Sequence, residues 1–186
     1  MKHYLRDYGL LLGMAGIVII LDQWTKALVR NNLPIGGIWM PLDWLRPYAR
    51  IVHWYNSGAA FGLFQNGGMV FAILALLVAG LILYYFPRTS PRDWTLRLAM
   101  GLQLGGATGN LIDRLTMDWQ VTDFISIGAF PVFNVADSSI TIGVVVLLLG
   151  AWLKDRSEQA HAAAEFVSEA GLQAEPSLAV DEARGE

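Results

Sequence analysis

The stretch VTDFISIGAFPVFNVADSSITIG, residues 121–143, decides the fold, because it passes from an alternating segment into an apolar helix. It runs directly into VVVLLLGAWL, residues 144–153, which has the character of a bilayer span. Its only charged residues are two aspartates, Asp123 and Asp137. Ionisable groups beside hydrocarbon are costly, so these two carboxylates require an explanation.

The composition is that of a membrane protein. The 186 residues are 54% hydrophobic and 16% charged, whereas about 25% of the residues in a typical soluble domain are charged. Cysteine is absent and there are three histidines, so thiol catalysis, disulfides, a metal site and other cofactors are not expected. Residues 1–154 carry eleven Lys/Arg and eight Asp/Glu, and this weak positive charge argues against a nucleic-acid partner.

Four segments have the length and apolar character of transmembrane helices, which predicts an all-α membrane protein. They cover about residues 8–29, 68–86, 95–113 and 136–154. Four spans put both termini on one side of the bilayer. Lys and Arg favour the side of the termini by seven to five, which places both termini in the cytoplasm. Residues 30–67 and 114–135 are then extracytoplasmic.

The outward segment 30–67 is expected to carry a small β-sheet on the outer membrane surface. Its part RIVHWYN, residues 50–56, alternates and is rich in β-branched and aromatic residues, as strands are. Turn residues follow it, and nearby tryptophans suit the membrane interface. Residues 1–156 are therefore predicted to form the membrane domain. The acidic tail, residues 157–186, is expected to be frayed or weakly helical, flexible and outside any site.

Further polar residues gather at the outward ends of the spans. Asp22 and Lys26 lie one helical turn apart and form either a self-satisfied ion pair, with the lysine reaching toward water, or part of a site. Asn110, Asp113 and Arg114 share one face of the third span. They suit an interfacial Asp–Arg cap as well as they suit a contact with a loop or a substrate backbone. Spacing alone leaves both questions open.

Three glycines on the third span also have a regular spacing. Gly101, Gly105 and Gly109 recur at every fourth residue. Small residues at this interval let a second helix approach closely, so they indicate helix packing.

Asp123 and Asp137 have ordinary interpretations when each is taken alone. Asp137 suits the N-cap of the fourth span, and Asp123 suits a solvated loop. Together they are more informative, because residues 124–136 are long enough to bring both carboxylates into one poorly hydrated site. One of them then keeps a proton, so that one can activate water as a general base while the other donates to a carbonyl oxygen. That chemistry is peptide hydrolysis without Cys, His or metal.

Five sequence blocks, in order, resemble those of the bacterial lipoprotein signal peptidases, also called type II signal peptidases. The blocks are DQWTK (22–26), NSGAAF (56–61), GGATGNLIDR (105–114), VTDF (121–124) and FNVAD (133–137). The resemblance covers about residues 8–154. It implies a four-span aspartic endopeptidase with a small extracytoplasmic sheet and with Asp123 and Asp137 as the catalytic pair. The implied substrate is a diacylglyceryl-modified prolipoprotein, cut on the N-terminal side of its lipidated cysteine.

The resemblance also implies supporting residues, a location and partners. Eight residues are implied to bind the substrate or to position the site: Asp22, Lys26, Asn56, Gly58, Asn110, Asp113, Arg114 and Asn134. The implied location is the bacterial cell (inner) membrane, with the active site at the extracytoplasmic face and in contact with membrane lipid. Inhibition by the cyclic peptide globomycin is implied as well, and we expect a monomer. The acidic tail has no counterpart among the five blocks.

Two other functions stay open on the residues alone. A serine protease would pair a serine with Lys26 or His53, and it would stay active in Asp123→Asn; the candidate serines are Ser57, Ser138 and Ser139. A transporter or a membrane assembly protein would use the charged faces for ions or helix pairing. The charges cluster at one interface rather than near the midplane, however, and no inverted repeat is visible.

Overall fold

The computed structural model describes residues 2–58 and 64–174. These residues form four long α-helices: α1 (Lys2–Asn32), α2 (Gly68–Tyr85), α3 (Trp94–Thr116) and α4 (Val135–Ala174). They also form three β-strands: β1 (Ile38–Trp39), β2 (Ala49–Asn56) and β3 (Val121–Ile127). The protein is therefore mostly helical with a small sheet, as predicted. Residues 59–63, which hold part of the NSGAAF block and of the predicted turns, lie outside the described residues.

The three strands make one antiparallel sheet in the order β1-β2-β3. Strand β2 confirms the strand predicted over residues 50–56. Its partner β3 lies alongside it with Trp54 opposite Asp123 and Asn56 opposite Val121. Most of β3 is buried on both faces, and Asp123 is only 2% exposed. The interpretation of Asp123 as a solvated loop residue is therefore wrong.

Three helices within the described residues are long and apolar enough to cross a bilayer. They are Arg6–Asn32, Gly68–Arg88 and Val135–His161, which coincide with the first, second and fourth predicted spans. Helix α3 is long enough but more polar, because it carries several glycines as well as Arg97, Asp113 and Arg114. It packs against both α1 and α2, so fewer of its side chains need to suit lipid. Its membrane crossing stays a prediction.

The glycines of α3 bring α1 close, as their spacing predicted. A Cβ added to Gly105 would lie 2.6 Å from Val18 Cβ, which is too close for any larger residue. A Cβ added to Gly109 would lie 2.7 Å from Asp22 Oδ2. The same glycine face therefore packs the helices and lets a carboxylate of α1 reach the backbone of α3.

The chain divides into two compact units, Met1–Leu147 and Leu148–Glu186. The first holds the sheet and the polar residues considered above. In the second, α4 continues to Ala174, well past the predicted end of the fourth span near residue 154. The first part of the predicted tail is thus helical, while residues 175–186 lie outside the described residues. The tail's flexibility and its role stay predictions.

Candidate active site

Two elements bring the opening aspartates to one cavity. Asp123 comes from the middle of β3, and Asp137 comes from the first turn of α4. Both line a cavity of about 530 Å³, together with Asn110 and Arg114 of α3 and Phe71 of α2. We refer to Asp123 and Asp137 as the aspartate pair.

Asn134 joins the two aspartates and begins α4. Its side-chain Nδ2 donates to Asp123 Oδ1 at 2.7 Å, while its Oδ1 accepts from the Asp137 backbone N–H at 2.9 Å. In return, Asp137 Oδ2 accepts from the Asn134 backbone N–H at 3.2 Å. This reciprocal pattern is a capping box. The predicted N-cap role of Asp137 therefore needs correction, because Asn134 caps the helix and Asp137 sits three residues further on.

Two more amides hold the carboxylates. Asn110 Nδ2 donates to Asp137 Oδ1 at 2.7 Å, and Asn56 Nδ2 donates to Asp123 Oδ2 at 3.1 Å. The Asn56 carbonyl oxygen in turn accepts from the Gly58 backbone N–H at 2.9 Å, which fixes the orientation of its amide group. Both oxygens of Asp123 thus accept hydrogen bonds from side-chain amides. One amide belongs to Asn56 at the end of β2, and the other belongs to Asn134 directly before α4.

The pKa of Asp123 reflects this setting. Burial raises the pKa of the Asp123 carboxyl to about 7, because the charged form loses its hydration, and the charge of Asp137 acts in the same direction. The hydrogen bonds from Asn56 and Asn134 and the charge of Lys26 act in the opposite direction. A carboxyl with this pKa exchanges a proton near neutral pH, as general acid–base catalysis requires.

The charged residues of α1 and α3 form a buried cluster beside the pair. Lys26 Nζ lies 2.8 Å from Asp22 Oδ2 and 3.4 Å from Asp113 Oδ2, and all three side chains are almost fully buried. The prediction that Lys26 could reach toward water is therefore wrong. Asp113 pairs with Lys26 and, at 3.7 Å, with Arg30 Nη1. We refer to Asp22, Lys26 and Asp113 as the buried triad.

Arg114 occupies a different place from its sequence neighbour Asp113. It lines the cavity, and its guanidinium carbon lies 5.4 Å from the centre of the Phe71 ring. Its Nε is buried and has no hydrogen-bond partner among the described residues. A buried donor without a partner is unusual, so this N–H is available to a group that enters the cavity.

Two of the three serines proposed for the alternative protease, Ser138 and Ser139, have other partners. Ser138 Oγ donates to Asn134 O at 2.9 Å, and Ser139 Oγ donates to Ala136 O at 2.8 Å. These are bonds to carbonyls of the preceding helical turn, a common arrangement for serine in helices. Lys26 is paired with Asp22 and Asp113 in the buried triad. The geometry thus gives Ser138 and Ser139 little support as nucleophiles.

Two residues of the cluster had not been assigned any role from the sequence. Gln23 Nε2 donates to Asp113 Oδ1 at 3.0 Å, and Arg30 Nη1 donates to Thr122 Oγ1 at 3.0 Å. Gln23 lies within the DQWTK block, and Arg30 follows it by one turn of the same helix. Gln23, Lys26 and Arg30 are spaced i, i+3 and i+7, which places them on one face of α1. This spacing was the sequence signal that could have assigned Gln23 and Arg30 to the cluster.

Apolar helices that carry a mostly apolar cavity lined by one buried and one partly buried carboxylate define a class, a multi-pass membrane protein with an acidic site. The chain belongs to the signal peptidase (SPase) II family, whose family model matches residues 14–153. Membership makes it a peptidase. The family resemblance drawn from the five sequence blocks is therefore confirmed.

Relatives and solved structures agree with this assignment. The lipoprotein signal peptidase of Shouchella clausii is 39% identical over 150 residues, which are 78% of this chain and 95% of the relative. That of Xanthomonas campestris pv. campestris strain 8004 is 37% identical over 163 residues, 79% of this chain and 91% of the relative. A bacterial membrane enzyme solved by the in meso method at 2.3 Å resolution is similar with a TM-score of 0.72 and 32% identity. That match covers 81% of this chain and 91% of the solved one.

Proposed function

We propose that this protein is an aspartic endopeptidase that removes the signal peptide from prolipoproteins. Its substrate carries a diacylglyceryl group on the cysteine that follows the cut, and the cut lies on the N-terminal side of that cysteine. The observation that carries the proposal is the aspartate pair itself. Two carboxylates from separate elements line one cavity and are linked through the side chains of Asn110 and Asn134.

The pair supplies both proton-transfer groups that peptide hydrolysis needs. The ionised carboxylate accepts a proton from water, and that water attacks the scissile carbonyl carbon. The protonated carboxyl donates its proton to the carbonyl oxygen as the tetrahedral intermediate forms. The intermediate then collapses: the member of the pair that is now ionised takes a proton from one of the two hydroxyl groups, the carbon–nitrogen bond breaks, and the cysteine amine leaves with the proton that the other member took from water. Two nearby carboxyls that share one proton are suited to this exchange.

The other polar groups of the cavity bind the substrate or support the pair. Arg114 offers its Nε–H, which has no hydrogen-bond partner in the part of the chain that the structure describes, to a carbonyl oxygen of the substrate, whose backbone would otherwise lack hydrogen bonds away from water. Asn56 orients Asp123 and is itself held by the backbone of Gly58. The cavity walls are mostly apolar, with Phe71, Phe130 and Ile140 among them, which suits a lipid-bearing substrate.

The proposed topology follows from the same arrangement. Helix α3 crosses the bilayer as a fourth span, both termini are cytoplasmic, and the sheet with the aspartate pair lies at the extracytoplasmic face of the bacterial inner membrane. The pair lies beside the end of α3 and the start of α4, as a substrate cut at the membrane edge requires. The protein acts as a monomer in contact with lipid, and globomycin inhibits it.

Cleavage of a diacylglyceryl-modified prolipoprotein by the purified protein in detergent tests the function. We expect Asp123→Asn and Asp137→Asn to fold, as judged by melting temperature, and to lose cleavage. Asp118→Asn is the matched control, because Asp118 is exposed in the loop between α3 and β3, and its left-handed backbone suits asparagine. If either pair variant cuts at the wild-type rate, the aspartic mechanism is wrong. Loss of cleavage in Ser138→Ala alone would then favour the serine alternative.

A further inference from the structure

The buried triad contacts the chain directly before each member of the aspartate pair. Asp22 Oδ1 accepts a hydrogen bond from the Ala136 backbone N–H at 2.9 Å, and Ala136 immediately precedes Asp137. Asp22 comes from α1, which is remote in sequence from α4. One carboxylate of α1 therefore fixes the backbone from which Asp137 projects.

The second carboxylate of the triad, Asp113, makes the equivalent contact with the residue before Asp123 in β3. Asp113 Oδ2 accepts a hydrogen bond from the Thr122 backbone N–H at 2.9 Å, and Thr122 immediately precedes Asp123. Asp113 belongs to the last turns of α3, and Thr122 is at the start of β3. The two aspartates of the pair are thus held in the same way, each through the amide one residue before it.

Lys26 connects these two contacts. Its ammonium lies between Asp22 and Asp113 and also donates to Asn110 Oδ1 at 2.9 Å. That same Asn110 donates to Asp137. A single buried cation therefore touches both holding carboxylates and one of the amides that bind the pair.

Gln23 also contacts both carboxylates of the triad. Its Nε2 donates to Asp113 Oδ1 at 3.0 Å and lies 3.2 Å from Asp22 Oδ2. It further donates to the Gly109 carbonyl oxygen at 3.0 Å, which ties α1 to the backbone of α3. The close approach of the helices at Gly109 allows this contact.

We propose that Asp22, Lys26 and Asp113, locked by Gln23, are positioning residues that set the separation of the aspartate pair. The proposal rests on the aspartic peptidase function proposed above. Stability alone accounts poorly for such a cluster, because a buried ion pair is often no more stabilising than apolar residues of similar volume. Geometry accounts for it better, since a displacement of about 1 Å in a catalytic group can lower the rate about 10²-fold.

Paired substitutions at Asp22 separate positioning from charge. Asp22→Asn keeps an oxygen that can accept from the Ala136 N–H, whereas Asp22→Ala removes it. We expect Asp22→Ala to lower kcat about 100-fold with KM changed less than about threefold, and Asp22→Asn to stay within about tenfold of wild type. Equal losses of kcat in the two variants would overturn the proposal.

The pH profile gives a second readout that a merely structural role would not change. If Asp22→Ala lets the pair separate, mutual repulsion weakens and the alkaline limb of kcat/KM moves to lower pH. Asp22→Asn removes the same charge, so a shift confined to Asp22→Ala reports geometry. An unchanged limb in Asp22→Ala would contradict the proposal.

The ion pair Arg97–Asp7, in which Arg97 is buried, provides the matched control. Arg97 Nη2 lies 2.7 Å from Asp7 Oδ1, and this pair also joins α3 to α1. We expect Asp7→Asn to lower the melting temperature as Asp22→Ala does, while kcat and the pH profile stay unchanged. If Asp7→Asn loses as much kcat as Asp22→Ala, the effect is general destabilisation and the positioning role is wrong.

Gln23→Met keeps the test valid if Asp22→Ala does not fold, because it leaves every charge in place. It should lower kcat about tenfold without raising KM, and an unchanged kcat would count against the lock. The outcomes also separate the two proposals. If Asp123→Asn still cleaves the substrate, the proposed aspartic mechanism itself is wrong. If Asp123→Asn is inactive while Asp22→Ala is fully active, only the proposed positioning role is wrong.

Discussion

The two ends of the α1–α3 helix pair use the same chemistry in different surroundings. At one end, Arg97 bonds Asp7 at 2.7 Å, lies over the Phe86 ring at 4.2 Å and reaches the Thr89 carbonyl. These partners are structural, and each belongs to a helix end or a turn. Replacing this pair should therefore affect the packing of the helices and little else.

At the other end, the partners of the ion pair lead to the proposed catalytic groups. Lys26 contacts Asp22 and Asp113, and those carboxylates hold the backbone before Asp137 and Asp123 respectively. The comparison teaches that burial and ion pairing do not by themselves distinguish a structural cluster from a functional one. The distinction depends on the other hydrogen bonds that the paired carboxylates make, which here bind the backbone beside the proposed catalytic residues.

The largest expected effect is the loss of cleavage in Asp137→Asn. Removing one proton-transfer group should lower kcat about 10³-fold, since general acid–base catalysis contributes about 10²–10⁴-fold. The free energy of unfolding should change by only about 1 kcal/mol, because the asparagine side chain keeps one oxygen that can accept one of the two hydrogen bonds from Asn110 and Asn134. Single-turnover cleavage and thermal unfolding of the same preparation measure both quantities.

Asp7→Asn should show the reverse pattern. Leaving Arg97 buried without its partner should lower the free energy of unfolding by about 3 kcal/mol while cleavage continues at the wild-type rate. The difference between the two ends would disappear if Asp7→Asn were inactive at a temperature where it is fully folded.

Sequence reasoning could predict the pair and could not predict how the pair is held. Asn134 and Asp137 are three residues apart before an apolar run, which is a local helix-start pattern. Asp123 joins them only because β3 pairs with β2, a contact between residues about 67 apart for Asn56 and Asp123. The burial of Lys26 depends on the approach of α3, so helical spacing within α1 could not decide between pairing in water and pairing in the interior.

The helices were predictable to different degrees for a physical reason. Helices α1, α2 and α4 expose many large apolar side chains, such as Ile20, Leu77 and Leu148, and this gives a clear hydropathy signal. Helix α3 is covered by its neighbours, so its sequence is shaped by close packing and by the site. The end of α4 was missed because Ala and Glu are good helix formers even where no apolar face requires a helix.

The pH dependence of stability should distinguish the site end of the molecule from the other. The pKa of Asp123 is about 7 in the folded protein and about 3.9 in an unfolded chain. Between these values the unfolded chain releases the proton and the folded protein keeps it. The free energy of unfolding therefore falls as the pH rises from about 4 to 7, by an amount of the order of 4 kcal/mol, and is constant above.

Thermal unfolding in detergent between pH 4 and pH 8 measures this effect, with Asp123→Asn as the comparison. The variant lacks the titrating group, so its stability should depend less on pH, and its advantage over wild type should be greatest near pH 8. Parallel curves for the two proteins would show that Asp123 titrates near its ordinary pKa in the folded state.

A smaller effect is expected at Arg114. If its Nε–H, which has no partner among residues 2–58 and 64–174, binds the substrate backbone, Arg114→Gln should raise KM about tenfold, because a hydrogen bond from a charged group contributes about 1.5–3 kcal/mol. Arg46→Gln is the matched control, since Arg46 is exposed in the loop between β1 and β2. A decrease in kcat with an unchanged KM would instead assign Arg114 to the chemical step.

The smallest effect should come from the far end of α4. Side chains 154–161 are all exposed, so the helix there gains no stability from burial of an apolar face. A chain that ends at Arg156 should therefore cleave the lipid-modified substrate at the wild-type rate and melt within a few degrees of the full chain. The segment removed begins 20 residues after Asp137 in the sequence and contains none of the residues assigned to the site. A tenfold loss would show that the tail contributes to function, and a comparison at matched detergent and lipid content would exclude an effect of membrane extraction.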